Sequence, residues 1–340
     1  MAIEIWQNLA VLELPDVIHG PTSIFSPDGT PAHSVFGLSM LVLGITLSIF
    51  LIVGGLLLYA LIRYRHRPTD INAAHEPAQI YGSNQIELSW TVVPILIVVM
   101  LFLATARVIY TTEHAPKPAE ALDVTVIGHQ FWWEYRYPKY GIVTANELHI
   151  PVSDRKHPTP TYLTMSSADT NHSFWVPRLA GKMDVIPNKI NTMWIDPSVP
   201  GLYLGQCAQF CGAQHAKMLL RVYADSPAEF DAWIAHQKQP PVQPSLQDAS
   251  VAEGQAVFLH NACISCHTIA GTVATGRFGP NLTHLASRDT FASGSVPNRP
   301  ENIRAFVSDP AHFKPGALMP AMHLNDHDLD VVTAYLTTLK

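Results

Sequence analysis

Residues 35 to 62 form a run of 28 without one charged side chain. As a helix rising 1.5 Å per residue, that run exceeds a hydrocarbon core of about 30 Å, with length to spare for tilt. Arg63, Arg65, His66 and Arg67 follow it directly. Basic residues at the end of a span stay on the cytoplasmic side, which places the N-terminus outside. A second apolar run covers the 19 residues from 88 to 106, between Glu87 and Arg107, with Pro94 early enough to sit near a helix start. The alternative, two buried core helices of a soluble protein, fits poorly with a first run above 18 apolar residues and a basic flank. The expectation is a transmembrane hairpin over residues 35–110, with helices at about 35–62 and 88–107. Everything after residue 107 then returns to the outside. Composition agrees, since 14% charged residues is well below the usual quarter.

A chain of 340 residues has room for two further domains beyond the hairpin. Residues 1–34 carry Glu4, Glu13, Asp16 and Asp28 and no Lys or Arg. A signal peptide opens on a basic region and an apolar core, and this segment has neither, so it reads as an extracytoplasmic tail. A net charge of −6 argues against nucleic acid as a partner.

Beyond residue 115 the period changes. Leu122-Asp-Val-Thr-Val-Ile alternates, and short apolar runs then recur about every ten residues between Pro, Gly, Asn and Asp, the pattern of a β-sandwich or barrel. Ser226-Pro-Ala-Glu marks a helix start through a capping box and a proline at the first helical position. We bound this domain at 116–236. Residues 237–249, rich in proline, read as a linker, and 250–340 as an all-α domain large enough to hold one cofactor-filled core.

Four cysteines carry the chemistry. The first two lie in Cys207-Ala-Gln-Phe-Cys211-Gly-Ala-Gln-His215-Ala-Lys-Met218, where two thiols, an imidazole and a thioether fall within twelve residues. Soft sulfur with imidazole is a copper donor set, and one thiol more than a mononuclear blue-copper centre uses suggests two coppers bridged by two sulfurs. A second His must then come from elsewhere. His172, in Asp169-Thr-Asn-His172-Ser-Phe, is a candidate, although periodicity alone fits a buried core histidine equally well.

The other two lie in Cys263-Ile-Ser-Cys266-His267, the c-type haem attachment pattern. The thiols can add to haem vinyl groups while His267 reaches the iron. With this pattern in one pair and ligand spacing in the other, no disulfide is expected. Met319, between Leu318 and Pro320, is the expected second axial ligand, with Met322 as its rival. His/Met ligation suits electron transfer.

The C-terminal domain resembles class I cytochromes c. Gly279-Pro280-Asn-Leu matches the family's turn against the haem, which implies that the Pro280 carbonyl orients His267. The pattern Asp-x-x-His-Ser-Phe followed by Cys-x-x-x-Cys-Gly-x-x-His-x-x-Met resembles the cupredoxin-like CuA domain of cytochrome c oxidase subunit II. The resemblance implies His172, Cys207, Cys211, His215 and Met218 as copper ligands, with the Gln209 backbone carbonyl as a weak one. Gln209 departs from the family's Glu, whose carboxylate reaches a Mg site, and leaves a Mg contribution open. Gly128-His-Gln-Phe131-Trp132-Trp133 resembles the aromatic patch over the copper, with Phe131 at the position of an electron-entry Trp. Phe131 and Trp132 are the entry candidates, while Trp133 reads as packing. Glu87 matches an acidic residue at the mouth of a proton channel of subunit I, although a carboxylate near a helix N-terminus is also stabilised by the macrodipole.

The resemblance as a whole is to an oxidase subunit II with a fused cytochrome c, as in caa-type haem-copper oxidases. It implies a bacterial plasma-membrane protein with both cofactor domains on the periplasmic side. Its partners would be subunit I and other oxidase subunits, and its donor an external or soluble cytochrome c or an upstream respiratory complex. Electrons would pass from haem c to binuclear CuA and on to subunit I, where oxygen is reduced and protons are pumped. The alternatives are the small subunit of a CuA-containing nitric oxide reductase and a free-standing membrane-anchored electron carrier. A quinol oxidase subunit II lacks the copper ligands present here.

Overall fold

The computed structural model describes residues 20–65, 79, 81–154, 158–241 and 248–340. The tail up to residue 19, His66, Arg67 and the middle of the expected linker lie outside the described residues. The chain divides into two units, one of residues 34–116 and one of residues 1–33 with 117–340.

The first unit holds two long helices, α1 (Thr30–Arg63) and α2 (Asn84–Glu113). Both outrun the apolar segments read from sequence, because hydrogen bonding continues through polar first turns. Pro31 stands in the first turn of α1, where its missing N–H is no loss. Pro94 is a correction: with α2 starting at Asn84 it lies inside the helix rather than near its start. Their apolar side chains, Leu47, Phe50, Leu57, Val93, Leu96 and Phe102 among them, are exposed along their length. For such surfaces the solvent is lipid.

Within the second unit, residues 122–225 form ten strands, among the described residues, in two five-stranded sheets. The strands are β1 (Leu122–His129), β2 (Trp132–Tyr137), β3 (Ile142–Ala145), β4 (Glu147–Pro151), β5 (Thr161–Ser167), β6 (His172–Trp175), β7 (Met183–Val185), β8 (Asn191–Ile195), β9 (Gly201–Cys207) and β10 (Leu219–Asp225). One sheet runs β3-β2-β1-β5-β8 and the other β4-β10-β9-β6-β7. The pairs β1–β5 and β4–β10 are parallel. Along β1, β5 and β10 alternate side chains are buried, the period-2 pattern of a two-layer sandwich. Trp133, Tyr135, Leu163, Met165, Phe174, Leu220 and Val222 fill the space between the sheets. Helix α3 (Pro227–Gln237) closes one end, with the capping box between Ser226 and Glu229 formed as read.

Asp28 of the tail is held by this domain. Its carboxylate accepts from Ser198 Oγ at 2.9 Å and from the Tyr203 hydroxyl. Burial works to raise its pKa, but the bonds from Tyr203 and Ser198 outweigh it and hold the group below its ordinary value. Thr30 adds a bond from its N–H to Asp196 Oδ1 at 2.7 Å.

Residues from 248 form α4 (Ala249–His260), the single turn α5 (Cys263–Cys266), α6 (Pro300–Ser308), α7 (Pro310–Phe313) and α8 (Asp326–Leu336). Gly254 lets α4 cross α8, since a Cβ there would lie 1.9 Å from the Val331 carbonyl oxygen. One feature departs from an all-α reading. Strands β11 (Thr290–Phe291) and β12 (Val296–Pro297) make a short hairpin. Its turn carries Ala292, Ser293 and Gly294 at positive φ, and two-residue strands are too short to show in a hydrophobic pattern.

That hairpin joins the cytochrome-like domain to the sandwich. The buried Glu147 carboxylate accepts from the Thr290 N–H and hydroxyl, both at 2.9 Å, and from the Asp289 N–H at 3.2 Å. Leu219 N–H donates to the Ser293 carbonyl at 3.1 Å, and Ser295 Oγ to the Lys217 carbonyl at 2.9 Å.

Candidate metal and haem centres

The end of β9, the loop after it and a short 3-10 turn at His215–Lys217 bring the sulfur ligand candidates together. Cys207 Sγ and Cys211 Sγ are 3.9 Å apart. His172 Nδ1, from the first residue of β6, is 3.9 Å from Cys207 Sγ. His215 Nδ1 and Met218 Sδ stand 3.8 and 3.9 Å from Cys211 Sγ, and the Gln209 carbonyl 3.2 Å from Cys207 Sγ. All six candidates thus converge on one point. The sulfurs are separated by nearly twice a disulfide bond length.

Electrostatics favour a metal here. Hydrogen bonding from Cys211, aided by His172, holds the Cys207 thiol far below its usual range despite burial. The resulting thiolate, with burial, pushes the Cys211 thiol up. A bound cation would favour loss of the second proton, so soft donors, convergence and charge all fit copper.

Two supports of His172 were not singled out in the sequence. Asp169 Oδ1 lies 2.9 Å from His172 Nε2, which leaves Nδ1 facing Cys207. Burial lowers the His172 pKa, and the bonds to Asp169 and Cys207 more than reverse it. Gly128 passes so near the ring that a Cβ would sit 2.8 Å from His172 Cδ2. The Asp was visible inside the motif; the glycine contact is between β1 and β6 and leaves no local signal.

In the C-terminal domain, an apolar cavity of about 280 Å³ is lined by Cys263, Cys266, His267 and both Met319 and Met322. The turn of α5 separates the two cysteines by three residues, so both face one side. His267 Nδ1 is 2.8 Å from the Pro280 carbonyl, and a Cβ on Gly279 would be 2.6 Å from His267 Cε1. Burial lowers the His267 pKa against the Pro280 bond, keeping the imidazole neutral for a metal. Arg288 also lines the cavity, and its buried Nε has no partner, as a guanidinium awaiting a carboxylate would. A flat, largely apolar group with acidic side chains fits this lining.

The aromatic candidates lie between the two centres. Phe131 and Trp132 are buried and line the haem-side cavity, and Trp132 stacks on His129 at 4.1 Å. Trp133 is wholly buried against His172 and Phe174, as packing. Gln209 is exposed. Glu87 occupies the first turn of α2, also exposed, in the unit without the centres.

Family models match the chain in three places: the transmembrane domain of cytochrome c oxidase subunit II over 24–108, its periplasmic domain over 156–224, and cytochrome c over 251–340. Cytochrome c oxidase subunit 2 of Alkalihalophilus pseudofirmus is 32% identical over 92% of this chain and 90% of its own. The chain belongs to that family. Cytochrome c oxidase subunit 2 of Bacillus sp. strain PS3 is also 32% identical, over 82% of this chain and 80% of its own. Quinol oxidase subunit 2 of Bacillus subtilis is 33% identical, but over 66% of this chain and 70% of its own. Identity alone therefore does not separate the two oxidase types, and the residues at the centres must. The chain is a membrane-anchored oxidase subunit II with a copper domain and a haem-type cytochrome c domain, made to associate with subunit I.

Proposed function

We propose that this chain is the electron-entry subunit of a respiratory cytochrome c oxidase, organised as a tail (1–34), a membrane hairpin (35–110), a CuA domain (116–236), a linker (237–249) and a cytochrome c domain (250–340). Copper and haem are one-electron carriers, and when bound they make the chain a relay toward the haem-copper site of subunit I. Cys207, Cys211, His172, His215, Met218 and the Gln209 carbonyl would hold a binuclear copper centre. Cys263 and Cys266 would hold haem covalently, with His267 and Met319 as its iron ligands and Arg288 available to one of its acidic side chains. Oxygen reduction and proton pumping belong to subunit I.

The observation that carries this reading is a single dipeptide. Gln130 Nε2 donates to the Cys211 carbonyl at 2.6 Å, and the next residue, Phe131, lines the haem-side cavity. One turn thus touches both centres, which supports Phe131 and Trp132 as the place where electrons enter the copper domain. Asp28, just ahead of α1, and Thr30, its first residue, grip the sandwich, which favours tail and copper domain on one side of the membrane. The basic flank of α1 favours the periplasmic side of a bacterial plasma membrane for both. Glu87, in the first turn of α2 with Arg63 and Arg65 on the same expected side, stays assigned to a proton-channel entrance. The external donor would be a soluble cytochrome c or an upstream complex, meeting the fused haem domain at an effective concentration raised by tethering.

Metal and haem analysis with EPR on the purified oxidase tests the reading. Two coppers and one covalent haem per chain are expected, with copper hyperfine structure from two equivalent nuclei. Cys207→Ser should collapse oxygen uptake. A complex that consumes nitric oxide but not oxygen would move the chain to the nitric oxide reductases, and a chain that purifies with no multi-span haem subunit would be a free-standing carrier.

A further inference from the structure

Lys314 is 3% exposed, an unusual state for a lysine without a paired acid. Among the described residues no carboxylate pairs with it. Its Nζ instead donates to the Phe131 carbonyl at 2.8 Å and to the Ala292 carbonyl at 3.1 Å. Burial pulls its pKa down to about 7. It stands directly after α7, at the head of the loop that carries Met319.

Its two acceptors lie on different bodies. Ala292 is in the β11–β12 turn of the haem domain, and Phe131 is on the copper domain. Behind Phe131, Gln130 holds both parts of the copper centre. Its side chain donates to the Cys211 carbonyl, and its N–H donates to Asp169 Oδ2 at 2.6 Å, the carboxylate that orients His172. A second tie runs in parallel, from Gln214 Nε2 on the copper loop to the Pro315 carbonyl at 2.8 Å. The loop passes close there, since a Cβ on Gly316 would lie 3.2 Å from Ala213 Cβ.

We propose that Lys314 is a positioning residue that fastens the Met319 loop and the haem-domain hairpin to the Gln130–Phe131 turn, and so sets the spacing between the haem crevice and the copper loop. An apolar side chain of the same length would fill the space equally well. It would leave two buried carbonyls without donors, and buried carbonyls without partners recruit water or move apart. The ammonium, with three donors on a flexible stem, can satisfy both at once. This proposal rests on the relay reading for its purpose but not for its geometry.

The test uses the full-length chain in its oxidase complex, comparing wild type with Lys314→Met. In the variant, amide hydrogen exchange across residues 128–133 and 313–318 should quicken by about tenfold or more, as a locally held segment opens. The haem-to-copper distance distribution from pulsed EPR should broaden, and the optical signature of Met-ligated ferric haem should weaken, while copper and haem stoichiometry stay at the wild-type level. If Lys314→Met does not fold, Lys314→Gln, which keeps two N–H donors on a shorter stem, takes the same measurements and should show the same signs. Exchange, distance and ligation all matching wild type in the folded variant would overturn the proposal. Failure of the relay reading shows separately, as wild-type chain without copper or haem. Hydrogen exchange on that metal-free chain still decides the role of Lys314.

Discussion

The copper and haem centres are built in opposite ways. The copper ligands are assembled by strand ends and hydrogen bonds: His172 is set by Asp169 and Gly128, and the thiols by β9 and the Gln130 contact, with every donor within 4 Å of a neighbour. The sandwich around it has a large apolar core, to which Cys207, Cys211 and Met218 themselves belong. The haem ligands instead ring a cavity that Phe131 and Trp132 of the sandwich also line, and the apolar core of their own domain is much smaller. The lesson is that copper would be a guest in a finished site, whereas haem would be part of the core itself.

The largest effect should come from denying haem its attachment. With Cys263→Ala and Cys266→Ala, a cavity of about 280 Å³ stays unfilled. At the cost measured for engineered cavities this is on the order of 5 kcal/mol or more, comparable with a small domain's whole stability. Calorimetry should show the C-terminal transition lost and the sandwich transition kept. Equal stability of both domains without haem would break the contrast. Removing copper by chelation should, conversely, leave the sandwich transition nearly unmoved.

A smaller effect is expected at Gly128→Ala. The added Cβ meets the His172 ring at 2.8 Å, and overpacking of this kind costs about 1–3 kcal/mol. Copper hyperfine splitting should change while the haem spectrum does not. An unchanged copper spectrum would mean that His172 is not held by this contact.

The smallest concerns the tail. Asp28→Asn weakens bonds from Ser198 and Tyr203, worth about 1 kcal/mol in sum. The folded pKa of Asp28 is depressed below its ordinary 3.8, so its contribution is complete above that value and is lost as pH falls through the folded pKa. Melting of the wild-type sandwich should therefore drop toward that of Asp28→Asn only below about pH 4. Convergence at higher pH would point to a different group.

Much of this was legible because its signals are local. The two spans follow from uncharged length, and the cysteine motifs follow from spacing within five to twelve residues. Five of the six copper candidates sit in one such stretch, and α5 places Cys263 and Cys266 together by helical pitch alone. His172 was harder, because its partners lie 35 or more residues away and its own neighbours look like packing; the family pattern singled it out. Pro94 was misplaced within its helix because Asn84, Gln85 and Glu87 give no hydropathy signal that α2 has begun.

From the chain alone come the membrane hairpin, the β-rich and helical domains and the ligand sets, since periodicity and short spacings are properties of consecutive residues. Only the folded molecule decided how the two cofactor domains meet. The grips of Glu147 on Thr290 and of Lys314 on the Phe131 carbonyl join residues more than 100 positions apart, and the β11–β12 hairpin meets Lys217 and Leu219 more than 70 positions away. These are polar contacts without a repeating pattern, so their energy depends on burial that exists only once both domains have packed.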